Sequence, residues 1–204
     1  MRNPLLAAAL ATLLSSPLTF SQTATPATAQ PGILEAFLRA TRNPSIREEA
    51  LGKLASEGRA EATFDALVAW DPVFPNVTVK GLRVQLREGV RRDVVYLDAD
   101  QDEEFDRDSL RDFQSEFAHL IADREALFKG RPIGTSIAVV ACNRTTPRGF
   151  VPRRNVFSVG WYSYGNRFGV VMESPPAGSF YFPGADLAQV LDFLGRGREF
   201  LQAH

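Results

Sequence analysis

The chain has too few cysteine and histidine residues for the common metal centres. Its 204 residues include one cysteine, Cys142, and two histidines, His119 and His204. One cysteine cannot form a disulfide within the chain, and a structural zinc site needs four cysteine or histidine ligands. The composition therefore argues against a disulfide framework and against zinc, iron–sulfur and haem chemistry.

The sequence also lacks the motifs of several common enzymes. It has no Gly-x-Ser-x-Gly nucleophile motif, no phosphate-binding glycine loop and no dinucleotide fingerprint. Cys142 and His119 could in principle form a nucleophile and its base. The histidine, however, falls on the polar face of a predicted helix, whereas the thiol ends an apolar strand, so the sequence favours a buried, inert cysteine. Glu116 and His119 have the Glu-x-x-His spacing of di-iron sites, in which such residues point into a helical bundle. Here both residues fall on the polar face of the predicted helix, so the spacing does not indicate a di-iron site. The sequence favours a non-catalytic protein, with a carboxylate-dependent hydrolase as the enzymatic alternative.

The amino terminus has the pattern of a secretory signal peptide. Arg2 supplies a positive charge, and the apolar run over residues 5–14 is shorter than the ~20 residues that a transmembrane helix requires. The small polar segment that follows contains two prolines, a composition typical of a disordered linker. We expect a signal peptide over residues 1–21, a linker over 22–32 and a single exported domain, periplasmic or extracellular, over 33–204.

The first part of that domain has helical spacing. An amphipathic segment begins at Ile33, and Asn43 followed by Pro44 fits an N-cap and a first helical residue. Residues 43–70 resemble a single HEAT-type helical pair in the placing of Arg47, Ala50, Leu51 and Leu54, a turn at Gly58, and Leu67. One such pair cannot bury its own apolar faces, so it must pack on the rest of the domain. The sequence predicts a helical cap over residues 33–72.

Residues 73–204 predict a sheet with two helices. Alternating apolar residues favour a hairpin that turns at Glu88 and Gly89, an apolar central strand over 137–142, and an aromatic hairpin around Gly165. Residues 108–128 carry an apolar stripe at spacings of three and four. Asp186 fits the N-cap of a last helix, in which Gly195 and Gly197 should fray the end. The predicted fold is α+β, with an N-terminal helical cap, an antiparallel or mixed sheet of about five strands, one long central helix and a C-terminal helix.

Charge is strongly segregated along the chain, although the formal net charge is -1. From Asp93 to Glu125, twelve acidic residues stand against three arginines, whereas from Lys129 to Met172 every charged residue is basic. Any electrostatic partner must therefore bind to a local patch rather than to the protein as a whole.

The acidic loop over residues 98–106 has the alternating carboxylates with which calcium loops begin. It departs from the EF-hand because Glu103 replaces the sixth-position glycine and Ser109 replaces the twelfth-position glutamate. Two interpretations stay open, a solvated loop without metal and a calcium-stabilised loop of another type. No other cofactor is expected. The candidate calcium ligands are Asp98, Asp100, Asp102 and Asp106.

A basic and aromatic segment follows the predicted central strand. Arginine binds phosphates and carboxylates, and aromatic rings stack on bases or sugars. Strand alternation places Phe157, Val159 and Trp161 towards the core and the neighbouring tyrosines towards solvent. The predicted basic-aromatic surface consists of Arg144, Arg148, Arg153, Arg154, Tyr162, Tyr164 and Arg167. The sequence thus predicts an exported binding protein for an anionic polymer or an envelope partner, unless these arginines pair with the acidic loop of the same molecule.

Overall fold

The computed structural model describes residues 32–56, 60–99, 136–142, 157–164, 167–174 and 177–204, with short stretches between 110 and 134. Its elements are α1 (Ile33–Ala40), β1 (Ser45–Ala55), β2 (Ala60–Trp70), β3 (Thr78–Glu88), β4 (Arg91–Asp98), β5 (Ser136–Cys142), β6 (Phe157–Tyr164), β7 (Arg167–Ser174), β8 (Gly178–Pro183) and α2 (Leu187–Ala203). Strands β1–β4 form sheet A and β5–β8 form sheet B, both antiparallel and in chain order. The α+β class is confirmed, with two antiparallel sheets instead of one.

The predicted helical cap is wrong beyond its first helix. Residues 43–70 resemble a HEAT-type pair, but within them Ser45–Ala55 and Ala60–Trp70 form the antiparallel strands β1 and β2. The helix-like spacing of Leu51 and Leu54 has a local cause, because the register shifts between Ala50 and Gly52 and both leucines are buried. On β2 the residues from Phe64 to Ala69 are all buried, which is the pattern of a strand covered on both faces.

The inner face of sheet A packs on sheet B and on α2. Arg91 of β4 donates to Ser179 O at 2.9 Å, and its guanidinium carbon lies 4.8 Å from the centre of the Phe180 ring. Asp93 accepts a hydrogen bond from Ser174 Oγ at the end of β7. Sheet A and sheet B are therefore joined by polar contacts at their edge as well as by a shared apolar core.

Helix α2 begins where the sequence predicts and continues beyond the predicted fraying point. Asp186 Oδ1 accepts from Ala188 N at 2.9 Å, which confirms the predicted N-cap. The helix runs through Gly195 and Gly197 to Ala203, so the predicted fraying at the glycines is wrong. Two contacts explain this, since Gly197 is buried against sheet A and Lys80 Nζ donates to Leu201 O at 3.1 Å near the helix end.

In sheet B, the predicted inward face of β6 is confirmed, because Phe157, Val159 and Trp161 are buried. The predicted central strand β5 is a strand, but within the described residues it pairs only with β6 and lies at the sheet edge. The reason is topological: sheet B follows chain order, so its first strand has one neighbour.

The described part of the chain contains no long central helix. Within residues 108–128, the helical positions are Leu110, Gln114, Ser115, Phe117, Ala118, Ile121 and Phe128. Leu110 and Phe117, which belong to the apolar stripe over residues 108–128, are buried in the core between the sheets and α2. Among the described residues, no helix is both long enough and apolar enough to cross a membrane.

Candidate functional site

Helix α1 packs on the outer face of sheet A, which is the face opposite α2 and sheet B. Leu34 forms a second apolar cluster with residues of β2 and β3, among them Leu67 and Val79. Gly81 permits the close approach, because a Cβ at that position would lie 2.3 Å from Leu97 O and 2.9 Å from Leu34 Cδ2. The helix therefore covers one end of the outer face.

Asp98, at the end of β4, caps the amino end of α1. The N-cap residue Gly32 has no side chain, and the Asp98 carboxylate accepts from Ile33 N and Leu34 N, both at 2.8 Å. A Cβ on Gly32 would lie 2.6 Å from Asp98 Oδ2, so the contact requires glycine. Burial raises the pKa of Asp98 and outweighs the two amide hydrogen bonds, which lower it; the charge of Glu35 adds to the rise. The position of α1 is thus fixed by a carboxylate far away in sequence.

A groove of about 490 Å³ lies between α1 and the edge strand β4. It is lined by Glu35, Leu38, Arg39, Arg92, Asp93, Val94 and Tyr96. The apolar part of Tyr96 packs against the second cluster, and Val94 is partly exposed. The groove is therefore lined by both apolar and charged side chains.

Both acids of the groove already accept hydrogen bonds. Glu35 Oε1 accepts from Arg39 Nη2 at 2.5 Å. Asp93 accepts from Val94 N at 2.9 Å through Oδ1, and from Ser174 Oγ through Oδ2. The carboxylates thus stabilise the walls of the groove.

Arg92 is the cation of the groove that lacks an acidic partner among the described residues. It is exposed and lies directly opposite Arg87 across β3 and β4. Glu61 lies opposite Arg87 on β2 and forms an ion pair with Lys53 at 2.7 Å. The hydrogen bond from Lys53 lowers the pKa of Glu61, and the positive charges of Lys53 and Arg87 lower it further. This part of the outer face therefore carries three cations, Lys53, Arg87 and Arg92, and one anion, Glu61.

In the middle of the outer face, the positive and negative side chains pair with each other. Arg83 donates to Asp65 Oδ2 at 2.9 and 3.1 Å and to Glu48 Oε1 at 2.5 Å. Gln85 Nε2 donates to the same Asp65 oxygen at 3.1 Å. Burial by itself would lower the pKa of Arg83. The hydrogen bonds and negative charges of Asp65 and Glu48 together have the larger effect, so the pKa of Arg83 is raised. The excess positive charge is consequently confined to Arg87 and Arg92.

The predicted calcium ligands are not brought together by the described residues. Asp98 is turned to α1, while Asp100, Asp102 and Asp106 lie outside the residues that the structure describes. No group of three or more histidine, cysteine, aspartate or glutamate side chains in the described part of the chain is placed to hold a metal ion.

The prediction that Tyr162 is exposed is wrong, since only 5% of the residue is accessible. Its ring lies over Gly169 of β7, where a Cβ would be 2.5 Å from Tyr162 Cε1, and it meets the ring of Tyr181 edge-on with centres 5.1 Å apart. Gly169 has no side chain, and this leaves room for the Tyr162 ring. The rest of the basic-aromatic surface lies outside the described residues, namely Arg144, Arg148, Arg153 and Arg154 and the side chains of Tyr164 and Arg167.

The chain matches no family model, and no curated protein and no solved structure is significantly similar to it. Function is therefore inferred from contacts and charge alone. Sequence reasoning missed Arg87 and Arg92, although the predicted turn at Glu88 and Gly89 brings the two arginines to opposite strands close to that turn.

Proposed function

We propose that the protein is an exported, non-catalytic binding protein and that the groove between α1 and β4 binds an anionic ligand through Arg92. The observation that supports this most is the Arg87 and Arg92 pair. Like charges directly opposite each other on neighbouring strands are destabilising, and an anion placed between them removes the repulsion.

The groove favours a ligand that has both a charged and an apolar part. A guanidinium presents its N–H donors as a planar fork that matches a carboxylate or a phosphate. The apolar surfaces of Leu38, Val94 and Tyr96 lie in the same groove. We therefore expect a small molecule or the end of a polymer that bears a phosphate or carboxylate group next to an apolar or sugar-like body.

Replacing Arg92 with glutamine should weaken anion binding by roughly 10- to 100-fold, the loss expected for a hydrogen bond to a charged group. Isothermal titration calorimetry with inorganic phosphate and with pyrophosphate at low salt measures this. Arg47→Gln is the matched control, because Arg47 is an exposed arginine on the opposite edge strand of the same sheet. Equal weakening by the two variants, or no binding by the wild type, would reject the groove as the site.

The basic-aromatic surface is a second candidate location for the same function, because residues 129–172 contain no acid. If it binds a polyanion, heparin binding by the wild type should fall steeply with salt and the double change Arg153→Ala, Arg154→Ala should abolish it, while unfolding stability changes by no more than about 1 kcal/mol per residue. Filter binding over a range of salt concentrations, beside denaturation curves, measures both effects. A destabilised double variant that still binds heparin would indicate internal ion pairs instead.

A further inference from the structure

Strand β1 forms one edge of sheet A, and within the described residues it pairs only with β2. Every residue from Ile46 to Ala50 is exposed, although this stretch is regular strand. An edge strand presents backbone donors and acceptors with which another strand can pair. Residues 46–50 therefore offer a short template for strand pairing, and we call this stretch the exposed edge.

The exposed edge ends where α2 contacts β1. The register of β1 with β2 shifts between Ala50 and Gly52. Leu51 is buried, its carbonyl accepts a hydrogen bond from Arg196 of α2, and the Phe193 ring packs against Gly52. A further strand can consequently pair with the first half of β1 but not with the second.

The exposed edge carries opposite charges on one face. Arg47 and Glu49 lie opposite core residues of β2, so both side chains are on the inner face of sheet A. Neither has an ion pair among the residues that the structure describes. Charged side chains normally protect an edge strand from pairing with other strands. A base and an acid two positions apart, however, complement an antiparallel copy of themselves.

We infer that the exposed edge pairs antiparallel with the same stretch of a second copy of this chain, across a two-fold axis at Glu48. In this register Arg47 of each copy lies opposite Glu49 of the other, which forms two ion pairs. Ile46 lies opposite Ala50, so two apolar pairs are covered on the outer face. Moving the axis to Arg47 or to Glu49 would instead place like charges opposite each other, so charge selects one register.

Glu48 faces its own copy at the axis, which is the cost of this register. On the outer face it accepts a hydrogen bond from Arg83 at 2.5 Å, so two arginines lie beside the two glutamates. Asp65 shares Arg83, and part of the negative charge therefore remains. Glu48→Gln should tighten the dimer by up to about fivefold. A weaker dimer in this variant would contradict an axis at Glu48.

The dimer should be reversible, because a pairing of five residues is smaller than the roughly 1,200–2,000 Å² that stable complexes bury. Sedimentation velocity from about 10 µM to about 1 mM protein covers the expected range. Arg47→Glu and Glu49→Arg should each weaken the dimer at least tenfold, since each places like charges opposite each other. Arg42→Glu is the matched control, because it makes the same change of charge at an exposed arginine outside β1 and should dimerise as the wild type does.

Rescue separates this register from a general effect of the substitutions. The double change Arg47→Glu, Glu49→Arg keeps the net charge and restores both ion pairs, so it should dimerise as the wild type does. An equimolar mixture of the two single variants should form a heterodimer, because one copy then carries two acids and the other two bases. Circular dichroism confirms that each variant is folded.

Three results would overturn the inference: no wild-type dimer up to about 1 mM, a dimer that neither single variant weakens, or a double variant that stays monomeric. Equal weakening by Arg42→Glu would also count against it. The test is independent of the anion-binding groove, which lies at β4, the opposite edge of sheet A. Failure of one proposal consequently leaves the other standing.

Discussion

Asp98→Ala is expected to lower the free energy of unfolding by about 2–3 kcal/mol. The change removes the acceptor of two backbone donors, Ile33 N and Leu34 N, in a largely buried position. Leaving a buried donor unsatisfied costs about 1–3 kcal/mol, and loss of a helix N-cap typically costs about 1 kcal/mol. Urea denaturation measures the total, and amide hydrogen exchange should show the first turn of α1 opening faster than β2.

Asp186→Ala is the matched control for this prediction. Asp186 also caps a helix, but it does so within an exposed capping box, in which its side chain accepts from Ala188 N. Its removal should cost only about 1 kcal/mol. If Asp98→Ala proved no more damaging than Asp186→Ala, the long-range cap would contribute nothing beyond an ordinary exposed one.

The raised pKa of Asp98 also gives the stability a pH dependence. Between the ordinary pKa of an aspartate and the raised value, the folded chain binds a proton that the unfolded chain does not, so this group stabilises the fold as pH falls through that window and loses the contribution as pH rises. Asp98→Asn does not titrate there. The wild type should therefore gain stability relative to Asp98→Asn as the pH falls from neutral to about pH 4. A difference that stays constant would contradict the raised pKa.

Gly197→Ala should lower the free energy of unfolding by about 1–2 kcal/mol, whereas Gly195→Ala should raise it by up to about 1 kcal/mol. Alanine is better than glycine in a helix by about 1 kcal/mol at both positions. At Gly197, however, the new Cβ would lie 2.7 Å from Leu82 Cδ2 and 2.8 Å from Leu51 Cδ1, both in the packed core. Overpacking of this kind typically costs about 1–3 kcal/mol and here exceeds the gain in helix propensity.

Gly195 is the internal control, because the nearest atom to its Cβ would be Gln114 Nε2 at an ordinary 3.6 Å. Thermal or urea unfolding of the two variants gives the signs directly. Two changes of the same sign would show that α2 does not approach sheet A at Gly197 as closely as its contacts indicate.

Elements with purely local signals were predictable from the sequence. The β3–β4 hairpin, the β6–β7 hairpin and the start of α2 follow from turn residues, alternation and a capping aspartate. The sequence wrongly predicts helices for the β1–β2 pair, because one bulge gives Leu51 and Leu54 helical spacing. A bulge is a property of the pairing between strands, so a single strand's pattern does not reveal it.

The candidate site was less predictable than the fold, for a related reason. The carboxylates that follow Asp98 in sequence predict a metal ligand, whereas its hydrogen-bond partners lie 64 and 65 residues away. Burial of Tyr162 depends on the glycine opposite it on the next strand. The turn at Glu88 and Gly89 is enough to place Arg92 close to Arg87, but charge segregation along the chain is strongest in the acidic loop and the basic-aromatic surface.

Anion binding in the groove is tested most directly by the arginine Nε–Hε resonances in a two-dimensional ¹H–¹⁵N NMR titration with inorganic phosphate at low salt. A saturable shift of the Arg92 resonance, accompanied by the backbone amides of Val94 and Tyr96 and absent from Arg47, is the predicted result. Shifts spread evenly over exposed arginines, or an Arg92 resonance that does not move, would contradict a specific anion site between α1 and β4.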